Sequence, residues 1–272
     1  MNFQFDEDGF LTKRRDQLAG AIRRVSESLF ALAHDINREC HRLLLAATPH
    51  NSDGREVLVA VSFIRALEHY QATVLLLSSG IIAPAKVALR ATLEAVFTAR
   101  AIAEHDEALK EFITDDLLQR RKLIRKAQQH EHTNLEELGA AKTDELVQRL
   151  EAEIKELGVK SLTTERLSQL AGMHDWYTTV YALLSKAVHN HARDLECYLL
   201  LDENDKVRSL DYAPSIEEVP NLLLTAAHAI LLGGEAVART FRLSFEAKAE
   251  HIKFIEAQLA QMPVKAAGPQ RA

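Results

Sequence analysis

The scarcity of turn-forming residues is the feature that most restricts how this chain can fold. Its 272 residues include only 10 glycines and 6 prolines, the residues that usually separate short elements. Apolar residues recur instead at helical spacing over long segments, most clearly over 10–47, 55–79 and 83–104. Long helices joined by few turns favour an all-α protein over one built from many short strands.

The same periodicity predicts a single-domain bundle of about seven to eight helices. A short helix within 162–172 has Thr163 or Thr164 as its N-cap, and 198–212 fits either a small hairpin or a plain loop. No repeat or linker divides the chain, so we expect one domain over 1–262 and a disordered tail over 263–272. The remaining helices are expected over about 106–136, 142–157, 174–200 and 215–261, the last kinked at Gly233-Gly234.

Charge and cysteine content narrow the class of protein. The net charge of −6 argues against a globally basic nucleic-acid-binding protein. The first residues lack the basic and apolar regions of an export signal, and Cys40 and Cys197 show no Cys-x-x-Cys spacing. Charged residues interrupt the apolar stretch 73–99. We therefore expect a cytoplasmic protein with no membrane segment.

The helix over 83–104 carries an unusual pair of charges. Between Val87 and Ala99 the only charged residues are Arg90 and Glu94, and their i, i+4 spacing puts them on one face. Because this helix is apolar all round, it is expected in the middle of the bundle, where a charge without a partner is costly. The pair is therefore either a structural ion pair or part of a polar functional pocket.

A later predicted helix carries a polar ridge along the border of its buried face. Tyr181, Ser185 and His189 follow one another at i, i+4 spacing, and such borders line clefts in helical proteins. We predict that Ser185 and His189 converge with Arg90 on Glu94, the only acid in a long apolar stretch. This cluster is the candidate ligand-binding site, with Tyr181 beside it.

Other polar residues extend or limit this interpretation. Arg65 and His69 share a face of the helix over 55–79 and would enlarge the cluster if that face turns toward Arg90; otherwise they form a solvated stripe. His191 falls in the apolar sector and should be more buried than His189. The chain has neither Glu-x-x-His nor His-x-x-x-His spacing, so we expect no metal and no cofactor.

Two segments together carry a family resemblance. The stretches GIIAPAKVALRATLEAVFTARAI and WYTTVYALLSKAVHNHA resemble domain-of-unknown-function family 5677, a bacterial family of helical proteins. Its pattern has Arg-x-x-x-Glu on a central helix and Tyr-x-x-x-Ser-x-x-x-His on a later one. The resemblance covers roughly 55–235 and implies a helical fold rather than an activity. The matching positions are Arg90, Glu94, Tyr181, Ser185 and His189.

A more distant similarity links the chain to the higher-eukaryote and prokaryote nucleotide-binding (HEPN) helical domains. Their signature is an arginine followed four to six residues later by histidine, as in Arg100/His105 and Arg125/His130. That similarity implies a metal-independent ribonuclease or nucleotide-acting protein of a toxin or anti-phage system. Arginine would bind phosphate, histidine would act as a general base, and RNA or a nucleotide would be the partner.

Two functional hypotheses therefore remain. The first is a non-catalytic interaction or ligand-binding bundle built around the polar cluster, and the second is the HEPN-like ribonuclease. The exposure of the cluster discriminates between them, because catalytic groups must line a cleft. A homodimer is also expected, since the long first helix and the apolar segment 221–232 offer more apolar surface than one bundle readily covers.

Overall fold

Long helices make up most of the structure, as the shortage of turn residues predicts. The computed structural model describes residues 7–13, 15–128, 140–188, 195–211, 216–261 and 270–271. Within these ranges it has ten helices and three short strands. The helices are α1 (Arg15–Val25), α2 (Glu27–Ala46), α3 (Gly54–Ser78), α4 (Ile82–Glu104), α5 (Asp106–Gln128), α6 (Ala140–Leu157), α7 (Thr164–Leu170), α8 (174–188), α9 (Val219–Phe241) and α10 (Ala247–Gln261).

The all-α prediction is confirmed, but the predicted number of helices was too low. The segment expected as one helix over 10–47 divides at Ser26, whose backbone leaves the helical conformation between α1 and α2. The segment expected over 215–261 divides at Arg242, which has a left-handed φ of 55° and ends α9. There Leu243 N donates to Ala238 O at 2.8 Å, the bond of a Schellman-type end. Single-residue breaks of this kind do not disturb apolar periodicity.

Gly233 and Gly234 lie inside α9, which continues through both residues. A Cβ atom on Gly233 would lie 3.0 Å from Val96 Cγ2 and 3.2 Å from a ring carbon of Phe63. A Cβ atom on Gly234 would lie 2.8 Å from a ring carbon of Phe245. The two glycines therefore let α9 approach its neighbours closely, which is a packing role that the sequence alone did not reveal.

A short hairpin follows the region of α8. Strands β1 (Leu199–Leu201) and β2 (Val207–Leu210) pair antiparallel, and β3 (Gln270–Arg271) pairs in parallel with β1. Of the two alternatives expected within 198–212, the structure has the hairpin rather than the plain loop. The expected continuation of a helix to residue 200 is wrong, because Glu196–Tyr198 form a 3₁₀ turn that leads into β1. A short apolar run such as that of β1 fits helix and strand equally well by periodicity.

The core is formed by α3, α4 and α9, which all pack against one another, and α8 packs against α4. Leu89 and Phe97 of α4 and Phe63 of α3 are fully buried. The apolar segment 221–232 of α9 also packs in this core, so it is not the dimer surface that the sequence led us to expect. By length and composition α9 could cross a membrane, but 61% of its most apolar window is buried inside the protein.

We predict that G233A lowers the free energy of unfolding by about 1–2 kcal/mol, because the added methyl group overpacks the contact with Val96 and Phe63. The matched control is G20A in α1, where an added Cβ atom meets nothing within 4 Å. That variant should gain about 0.5–1 kcal/mol from helix propensity alone. Chemical denaturation measures both, and equal effects of the two substitutions would contradict the packing role of Gly233.

Candidate functional site

A tyrosine hydroxyl joins the two charged residues of α4. The Tyr181 hydroxyl of α8 donates to Glu94 Oε1 at 2.6 Å, and Arg90 Nη2 donates to the Tyr181 hydroxyl at 2.7 Å. Arg90 Nη2 also lies 3.0 Å from Glu94 Oε1. We call Arg90, Glu94 and Tyr181 the tyrosine cluster. Its two α4 members sit on one face because they are four residues apart, and α8 supplies the third from across the helix contact.

The tyrosine cluster lies at the edge of the core. Tyr181 is 7% exposed, whereas the side chains of Arg90 and Glu94 are 22% and 41% exposed. The Arg90 guanidinium carbon lies 4.9 Å from the centre of the Tyr181 ring, a cation–π distance. The Glu94 carboxylate is therefore held by buried partners while part of it faces solvent.

The backbone that carries Tyr181 is unusual. Tyr177–Tyr181 form a π-helical turn within α8, a feature that occurs frequently at functional sites. The ring of Tyr177 stacks on that of Tyr181 with centroids 5.1 Å apart, and His174 stacks on Tyr177 at 6.1 Å. Phe97 of α4 contacts the Tyr181 ring at 6.2 Å. These ring contacts fix the direction of the Tyr181 hydroxyl toward Glu94.

Burial raises the pKa of Tyr181 above its ordinary value of 10, and the hydrogen bond to the Glu94 carboxylate raises it further. The hydrogen bond from Arg90 acts in the opposite direction without cancelling these effects. The phenol is consequently protonated at neutral pH and serves as a hydrogen-bond donor. It is poorly suited to act as a base or a nucleophile.

The structure brings together some of the residues that the sequence singled out. As predicted, Glu94 acts as an acceptor: it contacts Arg90 and accepts a hydrogen bond from Tyr181. Ser185 of α8 is half-buried and is not among the partners of Glu94 in the described part of the chain. His189 and His191 lie outside the described residues, so their convergence on Glu94 stays a prediction.

The predicted extension of the cluster onto α3 is not what the described residues show. Arg65 is exposed and His69 is half-buried. Among the described side chains, no hydrogen bond or ion pair joins either residue to Arg90 or Glu94. Arg65 belongs to the outer, solvent-facing surface of α3 instead.

Sequence reasoning missed a second charged network, centred on Arg100 of α4. Arg100 Nε donates to the Ala171 carbonyl at 3.2 Å, and Nη1 donates to the Leu232 carbonyl at 3.1 Å. Its side chain is only 12% exposed. The sequence did contain a signal for this network. Arg100 and Glu104, like Glu235 and Arg239, are charged pairs at i, i+4 spacing in apolar helices, as Arg90 and Glu94 are. The other members are Glu104, Glu235 and Arg239, with Glu235 2.7 Å from Arg100 and Glu104 2.8 Å from Arg239.

A cleft of about 710 Å³ lies where α2, α3, α4 and α9 end or begin. Its charged groups serve local structure: Asp53 caps α3 by accepting from Arg55 N at 2.9 Å, and Arg55 donates to the Ala103 carbonyl at 3.0 Å. None of the site residues predicted from sequence lines this cleft. The charged lining residues are His50, Asp53, Arg55, Glu56, Arg239 and Arg242.

The Arg100 network should be important for stability. R100A removes the guanidinium group that donates to the Ala171 and Leu232 carbonyls, and these two acceptors then lose this donor. We therefore expect the free energy of unfolding to fall by about 3 kcal/mol. R149A, which breaks an exposed i, i+4 pair with Glu145, should cost less than about 0.5 kcal/mol. Urea denaturation measures both. Similar small losses would show that the network contributes little.

The Tyr181 hydroxyl should ionise above pH 10, the ordinary pKa of tyrosine. The folded state holds this proton more tightly than the unfolded state does, because the pKa is raised on folding. The contribution of Tyr181 to the free energy of unfolding is therefore fully present below pH 10 and is lost as the pH rises further. The ultraviolet titration difference between wild type and Y181F isolates this phenol from the other tyrosines. In E94Q its midpoint should fall toward the ordinary value, and a wild-type midpoint at or below 10 would contradict the hydrogen bond to Glu94.

Comparison with known proteins identifies the family. A family model described as "Family of unknown function (DUF5677)" matches residues 56–207, which is more than half of the chain and includes the whole tyrosine cluster. No curated protein matches this chain, and no solved structure matches it. The match confirms the resemblance carried by the two sequence stretches. The chain therefore belongs to the family of unknown function DUF5677.

Proposed function

We propose that this protein is a non-catalytic binding module and that the tyrosine cluster recognises a cationic group of its ligand or partner. The observation that carries the proposal is the state of the Glu94 carboxylate. Its side chain is 41% exposed, although Oε1 accepts a hydrogen bond from Tyr181 and lies 3.0 Å from Arg90 Nη2. Oε2 has no hydrogen-bond partner in the described part of the chain, so no described residue competes with a ligand for it.

The geometry supports binding because the carboxylate is already ordered. Tyr181 is buried and locked by the stacked ring of Tyr177, so the acceptor loses little conformational freedom when a ligand arrives. Aromatic rings beside a carboxylate are also the usual composition of sites for ammonium and guanidinium groups. The rings of Tyr177 and His174 continue from Tyr181 along α8 and are half-buried.

The protonation state of the cluster favours binding over catalysis. A general acid or base works best when its pKa lies near the working pH. Burial instead raises the pKa of Tyr181, which moves it further from neutral pH. The contact with Arg90 Nη2 at 3.0 Å holds Glu94 Oε1 in place. Tyr181 therefore acts in the cluster as a fixed hydrogen-bond donor that orients the carboxylate.

The alternative ribonuclease hypothesis gains no support from the contacts of the two arginines that fit its spacing, Arg100 and Arg125. Arg100 donates to two backbone carbonyls and to Glu235 and is 12% exposed, so it cannot reach a phosphate without breaking the core network. Arg125 pairs with Glu151 on α6, and His130 lies outside the described residues. These contacts support the binding hypothesis as the better account.

A thermal-shift comparison with cations of defined structure tests the proposal. Spermidine and arginine amide should stabilise the wild-type protein, and E94Q should bind them about tenfold or more weakly because a charge-assisted hydrogen bond is lost. The matched control is E145Q, since Glu145 also pairs with an arginine at i, i+4 spacing but stands exposed on α6. It should respond like the wild type.

Circular dichroism first establishes that E94Q is folded, so that lost binding is not lost structure. A wild-type protein that none of these cations stabilises would contradict the proposed recognition of cations. Equal responses of wild type and E94Q would show that cations bind elsewhere.

A further inference from the structure

The outer face of α3 is apolar even though its inner face already fills the core. Val61 is 47% exposed, Ile64 is 42% exposed and Leu75 is 65% exposed, and all three fall on one stripe at helical spacing. The opposite side contributes fully buried residues such as Phe63. A helix that is apolar all round is normally covered on all sides, so this stripe has the character of an interface.

Two unpaired charges stand in the middle of this stripe. Arg65 and Glu68 are exposed, and neither makes an ion pair with any other described residue. They do not pair with each other, although they are three residues apart on the same helix. Elsewhere the i, i+3 residues Asp35 and Arg38 of α2 do pair. At the centre of the α3 stripe, Arg65 and Glu68 are thus left without an ion-pair partner among the residues that the structure describes.

The stripe has the symmetry of a self-complementary surface. Arg65 and Glu68 are equally far from the midpoint between Ala66 and Leu67, one on each side. The exposed apolar residues Val61 and Leu75 also lie on opposite sides of this point. When two copies of such a helix cross antiparallel about a two-fold axis at the midpoint, each cation faces the anion of the other copy, and exposed apolar residues lie on both sides of these pairs.

We propose that this chain forms a homodimer through the outer face of α3. The two α3 helices pack antiparallel, and Arg65 of each copy pairs with Glu68 of the partner subunit. The apolar stripe supplies most of the buried area, while the reciprocal ion pairs set register and direction. The interface is therefore not the segment 221–232, which is buried within the fold, but a surface that includes Arg65.

Sedimentation velocity of charge-reversal variants tests this arrangement. The wild type should be a dimer at micromolar concentration. R65E and E68R each place two like charges opposite each other, so each should raise the dissociation constant about tenfold or more. The double variant R65E/E68R exchanges the charges and restores both ion pairs, so it should return to the wild-type dissociation constant.

The control is R149E on α6, which reverses an exposed arginine far along the chain from α3 and should leave the dimer unchanged. All three substituted positions are on the surface, and circular dichroism should confirm folded helices in every variant. A monomeric wild type would overturn the proposal. It would equally be overturned if the single reversals remained dimeric, or if the double variant stayed as dissociated as either single variant.

Discussion

Burial of α4 is the constraint on which the rest of the structure depends. This helix packs against α3, α8 and α9, so each of its cations must find a partner at the edge of an apolar core. Lys86 pairs with Glu218 at the start of α9 at 2.9 Å. Arg90 pairs through Nη2 with Glu94 and the Tyr181 hydroxyl. The partners of the α4 cations therefore also attach α8 and α9 to α4.

The cations of α4 serve different purposes because they differ in depth. Arg100 is 12% exposed and bonds to backbone carbonyls before and within other helices, which makes it a structural clamp. The cluster around Arg90 reaches the surface through Glu94, which is 41% exposed. Similar i, i+4 charge pairs thus give a network anchored on buried Arg100 at one level of the helix and a surface acceptor at Glu94 less than two turns away.

The outward faces of α3 and α4 give the protein two proposed points of contact. The α3 stripe is apolar with a balanced charge pair, which suits a second copy of the same surface. The acceptor at Glu94 is polar and preorganised, which suits a cationic group. Dimerisation through α3 would place two copies of α4 in one assembly, so two recognition sites would act together on a partner that presents two cations.

The helical segments and the i, i+4 geometry of Arg90 and Glu94 could be predicted from the sequence, because hydrogen bonding and side-chain spacing within a helix are local. The family pattern also placed Tyr181 near them. The folded structure was needed to show that the Tyr181 hydroxyl bridges the pair, that Gly233 marks a close contact and that Arg100 meets the carbonyls of Ala171 and Leu232. Those partners are far apart in the chain, and their meeting depends on how apolar helices pack, which periodicity does not encode.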